Sequence, residues 1–277
     1  MPTTFEPQNF FDSALLLTAR IDTDLDGESM HGTGFLVQVP CANEKLALAL
    51  VSNRHVLRDG QGSITIRFHS ATESKGVFDL GRTLVLHGEE FGTHYVGHTA
   101  PDVDLAAVVV NAVGRVAKGK TLAEEHIATD TDLRQVSCAD TVWFVGYPEG
   151  WRDELHNLPL VRSGTVASLP RLNFDGRAEF VIDAQVFPGS SGSPVFARIG
   201  NQARLVGVVA ETAQRAAPVE GPPTILGAFS VQEVMGLGIV IRATQIPRLL
   251  GEIRRIVEER VESRSNDLDA SEVSSGD

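Results

Sequence analysis

The chain has 277 residues, 42% of them hydrophobic, enough to bury one large β domain or two small ones. Its 24 Lys and Arg stand against 36 Asp and Glu, and the net charge of -12 argues against nucleic acid and anionic membranes as partners. Cys41 and Cys138 alone exclude a dense disulfide framework, and neither a secretion leader nor a membrane-length apolar run is read, so a soluble cytoplasmic protein is expected.

Residues 1–13 read as an N-terminal extension. Short β-branched segments bounded by Gly, Asn, Asp and Pro then dominate, at Ala14–Ile21, Gly34–Val39, Leu46–Ser52, Ser63–Phe68 and Leu105–Val110. The pattern resumes at Val142–Gly146, Phe180–Val186, Leu205–Ala210 and Gly238–Ile241. A polar stretch, Lys118–Arg134, separates the two sets. The fold class is therefore all-β, with one antiparallel barrel over 14–120, a linker over 121–134 and a second barrel over 135–243. From Thr244, Pro247 suits a first helical turn, and Ile246, Leu249, Leu250, Ile253, Ile256, Val257 and Val261 recur at helical spacing. That predicts one amphipathic helix over 244–262, packed on the barrels, with docking of a regulator or a second copy as the alternative use of its stripe. Residues 263–277 have almost nothing to bury and are expected to be disordered.

Acyl transfer by a serine needs an exposed hydroxyl, a base and backbone donors aimed at the developing oxyanion. The run Gly189-Ser190-Ser191-Gly192-Ser193-Pro194 can supply the first and third, because its glycines permit a turn that aims the amides of Gly189 and Ser191 into one pocket. The same residues also make ordinary turns. The histidines decide between these readings. All eight precede Ser191, so an order of Ser, acid, His is impossible and the order is His, Asp, Ser or Asp, His, Ser. His55 ends the apolar segment that begins at Leu46 and is the candidate base. Asp104 opens the apolar strand Asp104-Leu105-Ala106-Ala107-Val108, where a carboxylate needs a partner, while Asp102 competes as the acid. His94 and His98 are four apart beside Asp102, but Gly97 breaks the helix that would align them, so they read as a loop and no metal is assigned. No phosphate loop, Cys-x-x-Cys pair or dinucleotide fingerprint occurs, and no cofactor is implied.

Ser52-Asn53-Arg54-His55-Val56, Asp104-Leu105-Ala106 and Gly189 to Pro194, in that order, resemble the three active-site signatures of the chymotrypsin-fold serine proteases, nearest the bacterial trypsin-like and HtrA-type branch. Gly32-Thr33-Gly34-Phe35-Leu36-Val37, Val145-Gly146-Tyr147-Pro148, Ser163-Gly164-Thr165-Val166 and Gly236-Leu237-Gly238-Ile239-Val240-Ile241 extend the likeness over residues 14 to 260. The resemblance implies two chymotrypsin-like barrels and a serine endopeptidase acting on polypeptides. It assigns His55, Asp104 and Ser191 as the triad and the amides of Gly189 and Ser191 as the oxyanion hole. Substrate would lie along Val208, Val209, Ala210, Glu211 and Thr212, with Gln185 and Ala210 near the pocket for the residue before the scissile bond. Neither position carries a charge, which favours an apolar or small side chain there, unless Glu211 enters the pocket and favours a basic one. Ser190 stands where the zymogen-activated branch has an Asp, which closes that activation route. The PDZ module typical of HtrA proteins is not expected. A catalytically inactive peptide-binding scaffold and an esterase of small acyl substrates are the alternatives.

Overall fold

The computed structural model describes residues 4–42, 46–72, 74, 76–110, 120–218 and 230–274. The first half runs β1 (Thr4–Phe5), α1 (Phe10–Leu17), β2 (Thr18–Leu25), β3 (Glu28–Pro40), β4 (Leu46–Ser52), β5 (Ser63–Ala71), β6 (Phe78–His87), α2 (Gly88–His94), β7 (Tyr95–Gly97) and β8 (Ala106–Val109). The connection carries β9 (Leu122–Ala123) and α3 (Asp130–Leu133). The second half is β10 (Thr141–Gly146), β11 (Leu160–Val166), β12 (Glu179–Asp183), β13 (Pro194–Ile199), β14 (Gln202–Pro218) and β15 (Ser230–Arg242), followed by α4 (Ile246–Ser274).

Strands β10-β11-β12-β15-β14-β13 close into a barrel. The first half orders its strands β1-β6-β5-β2-β3-β4-β8-β7, with β9 added in parallel to β3. Together they make the chymotrypsin-like two-barrel fold that the sequence implied. The near-continuous apolar character of β4 has a simple cause: both of its faces are buried. Leu48 and Leu50 point into the first half's own core with Ile21, Ile64, Ile66 and Phe68, whereas Ala47, Ala49 and Val51 face a second core shared with the closed barrel and α4. Ile246, Leu249, Leu250 and Ile253 of α4 are fully buried in that second core, as the helical spacing predicted.

Two elements differ from the sequence reading. Ala14–Leu17, read as strand, is the end of α1. Asn9 caps that helix by accepting from the Asp12 N–H, and Phe10 packs edge-on against Phe196 of the barrel, 5.0 Å between centroids. The terminal helix runs on to Ser274 rather than stopping near Glu262, so 263–274, expected to be disordered, are helical. No Gly or Pro lies between Gly251 and Gly276, so nothing in the local chain ends it. Cys41 and Cys138 are free thiols. Among the described residues no helix is long and apolar enough to cross a membrane.

His69 on β5 is fully buried; its Nδ1 accepts the Gly81 N–H at 3.3 Å, and burial pushes its pKa down to about 4. An unfolded histidine titrates near 6.5, so the unfolded chain takes the proton first and stability is lost as pH falls from about 6.5 towards about 4. The expected loss by pH 4.5 is about 2 to 3 kcal/mol. Urea unfolding at pH 7.5 and 4.5 should show this difference in the wild type and a correspondingly smaller one in His69→Gln; an equal difference in both would rule it out.

Candidate active site

β4 ends at Ser52, and His55 sits three residues on, in a turn closed by the Leu57 N–H donating to Asn53 O at 3.1 Å. The imidazole is therefore carried by a turn rather than by the strand end that the sequence suggested. What holds it is Asp104, two residues before β8. The His55 N–H donates to Asp104 Oδ1 at 3.0 Å, and His55 Nδ1 lies 2.6 Å from Asp104 Oδ2. The Asp104 carbonyl is fixed in turn by the Asn53 side-chain amide, 2.9 Å, and by the Arg54 N–H. Asp102 lines the same cavity but lies in an exposed turn, so the acid that reaches His55 is Asp104.

The loop that carries Ser191 joins β12 to β13. Gly189 at φ +85° lets the Pro188 carbonyl turn to accept the Glu149 N–H at 2.6 Å. Ser190 and Gly192 donate their N–H groups to Phe187 O and Val209 O. Among the described residues, the N–H groups of Gly189 and Ser191 find no protein acceptor. These two N–H groups flank the engaged amide of Ser190 and are left available to an oxygen of a bound ligand. Ser191 is partly exposed, and its hydroxyl donates to the Ala210 carbonyl at 3.0 Å. That carbonyl is free to accept because β14 bulges between Val209 and Glu211, leaving Ala210 opposite no residue of β15. Ser190 is buried, its hydroxyl without a hydrogen-bond partner among the described residues.

Thr33, fully buried on β3, ties these parts together. It donates through Oγ1 to Gly189 O at 2.9 Å and through its N–H to Ser191 O at 2.9 Å. Its Oγ1 accepts the Tyr147 N–H and its carbonyl accepts the Ser52 hydroxyl. The sequence reading gave Thr33 no role; its setting between Gly32 and Gly34 was the available signal.

His55, Asp104 and Ser191 line one cavity of about 690 Å³ with Pro188, Ala210 and Glu211. Gln185 is exposed and does not line it. Val208 and Val209 are buried in the barrel, and their main chain is already paired with β13, β15 and the loop that carries Ser191, so of the expected substrate strand only the part from Ala210 onward is open. Thr212 lies on β14 with its side chain outside the described residues. Glu179, at the start of β12, also faces the cavity, 7% exposed, and was missed. Burial pushes its carboxyl up, Arg177 pulls it back, and Glu211, Asp104 and Asp102 push it up again. The signal was an acid heading the apolar run Glu179-Phe180-Val181-Ile182. His94 ends α2 and His98 follows β7; among the described residues no group of three or more His, Cys, Asp or Glu is placed to hold a metal.

The family model of the trypsin-like peptidase domain matches residues 32–208, a span that includes His55, Asp104 and Ser191. No curated protein matches the sequence. Among solved structures, a variant of the HtrA-type protease AlgW with a tripeptide is similar at 18% identity and TM-score 0.55, over 87% of this chain and 61% of that one. A serine endoprotease from Yersinia pestis is similar at 16% identity and TM-score 0.52, over 90% and 68%. The chain thus spans about three fifths of the length of the AlgW structure, and these likenesses are of fold.

Proposed function

Because this chain belongs to the trypsin-like peptidase domain family, we propose that it is a serine endopeptidase in which Ser191 attacks the peptide bond, His55 is the base and acid, and Asp104 orients the imidazole. The observation that carries this reading is the two-point grip of Asp104 on His55 in the wall of the cavity that Ser191 also lines. In the resting protein the Ser191 hydroxyl is held by the Ala210 carbonyl. A substrate added as an antiparallel strand presents a main-chain N–H to that carbonyl, which competes for it and releases the hydroxyl towards His55. Ser191 Oγ then bonds to the scissile carbonyl carbon as its proton passes to His55 Nε2, and the carbonyl electron pair moves onto oxygen, facing the N–H groups of Gly189 and Ser191. Collapse breaks the C–N bond, and His55 returns the proton to the departing amine, leaving an acyl-enzyme. Water activated by the same imidazole releases the acid and restores Ser191.

Fluorophosphonate labelling tests this assignment. The wild type should be labelled stoichiometrically at Ser191, with labelling lost in Ser191→Ala and in His55→Ala. Absence of labelling in the wild type at any pH from 6 to 9 would sink the enzyme reading in favour of a peptide-binding scaffold. Hydrolysis of simple esters with no cleavage across a peptide library would replace endopeptidase by esterase.

A further inference from the structure

The cavity that holds Ser191 is strongly one-sided in charge. Asp102, Asp104, Glu179 and Glu211 line it, against the single guanidinium of Arg177. Asp104 is engaged by His55, but the other three carboxylates belong to no catalytic step. Glu179 is the least comfortable of them. Its side chain is nine-tenths buried, and Oε2 accepts no hydrogen bond among the described residues; Arg177 Nε stands 3.2 Å away in an ion pair while its own side chain is half exposed. A buried carboxylate with an incomplete shell favours any additional cation that can reach it.

Position identifies which part of a substrate that cation would occupy. Ala210 is the acceptor nearest Ser191, and Glu211 follows it on β14. A peptide strand antiparallel to β14 therefore places the residues that precede the scissile bond beside Glu211. Glu211 pairs with Ile239 and Glu179 with Ile241 across β15, so both acids stand over the same end of that strand and face the same cavity. We propose that this cleft selects polypeptides carrying a lysine or arginine side chain on the N-terminal side of the bond to be cut, with Glu179 and Glu211 as the residues that select it. The inference rests on the reading of Ser191 as the nucleophile. The upward push on the Glu179 carboxyl from burial and from its neighbours is consistent with it, since a group that resists ionisation alone ionises readily beside a bound cation.

The test separates selection from catalysis by using Ser191→Ala protein, full length, for binding. Its probe is a fluorescent octapeptide library in which one position in turn is fixed as Lys, Gln or Glu and the rest are degenerate. The pools with Lys at upstream positions should bind about tenfold more tightly than the matched Gln pools in 20 mM salt, with Glu pools weaker still and the gap narrowing in 0.5 M salt. Glu211→Gln in the same background should remove most of the preference, as should Glu179→Gln; the exposed Glu211 keeps the test decisive if the buried change impairs folding. Equal affinity for Lys and Gln pools, a preference for Glu, or no measurable binding of any pool overturns the inference. Failure of the catalytic reading is recognised separately, as absence of fluorophosphonate labelling in the wild type.

Discussion

Exchanging Asp104 for asparagine is expected to lower the rate of fluorophosphonate labelling at Ser191 by about four orders of magnitude. The geometry explains why so small a change has so large an effect. Asp104 accepts two hydrogen bonds from one residue, the His55 N–H at Oδ1 and the ring Nδ1–H at Oδ2. Asparagine can keep the first by presenting its carbonyl oxygen to the backbone. Its NH₂ then faces Nδ1, which must become an acceptor, and the ring proton moves to Nε2. An imidazole protonated at Nε2 cannot take the proton of Ser191, so activation of the nucleophile is lost while the turn and the cavity stay in place. Folding stability should fall by only about 1 kcal/mol, because one of the two bonds survives. Asp102→Asn is the control, since Asp102 lines the same cavity without contacting His55, and its labelling rate should stay within about threefold of the wild type. A rate for Asp104→Asn within tenfold of the wild type would remove Asp104 from the mechanism. An equal loss in Asp102→Asn would mean that general cavity charge, rather than the grip on His55, was responsible.

What the sequence could and could not disclose divides along the range of the interactions involved. The strand Leu46–Ser52 was legible to the residue, because burial on both faces leaves an unbroken apolar run bounded by polar turn residues. That any histidine serving Ser191 must lie upstream of it was legible from the sequence, whereas the meeting of His55, Asp104 and Ser191 at one cavity depends on how the chain folds. The run Ala14–Leu17 misled, since four apolar residues fit a strand or a helix equally well, and the decision came from the Asn9 cap and from Phe10 packing on Phe196, far away in sequence. The same limit hid the bulge at Ala210, the parking of the Ser191 hydroxyl on its carbonyl and the approach of Glu179 to Glu211. Each depends on register between strands, which no local pattern encodes. Thr33 belongs to this class too: it is an ordinary β-branched residue until the two halves close on it.

That closure is tight enough to make Gly192→Ala a severely damaging substitution for its size. Gly192 is buried at φ +86°, and a methyl group there would fall on the Thr33 carbonyl and the Ser52 hydroxyl, which hydrogen-bond each other at 2.6 Å. Neither neighbour can give way cheaply. Thr33 is held by bonds to Gly189, Ser191 and Tyr147, and the Gly192 N–H is itself committed to Val209 O at 2.8 Å. The left-handed backbone alone costs an alanine about 1 kcal/mol. Forcing the Ser191 loop away from β3 adds an overpacking cost of about 1 to 3 kcal/mol and breaks bonds between the two halves. A total near 3 to 5 kcal/mol is a large part of the stability of an ordinary domain. Gly27→Ala and Gly176→Ala separate the two contributions, because those glycines have φ of +84° and +79° with nothing within 4 Å of an added Cβ. Each should cost only the backbone term in urea unfolding, with labelling of Ser191 unchanged. Gly192→Ala should lose both stability and labelling. If its unfolding midpoint instead matched that of Gly27→Ala, the loop would have room to move, and Thr33 could not be the clamp that sets the Gly189 and Ser191 amides in place.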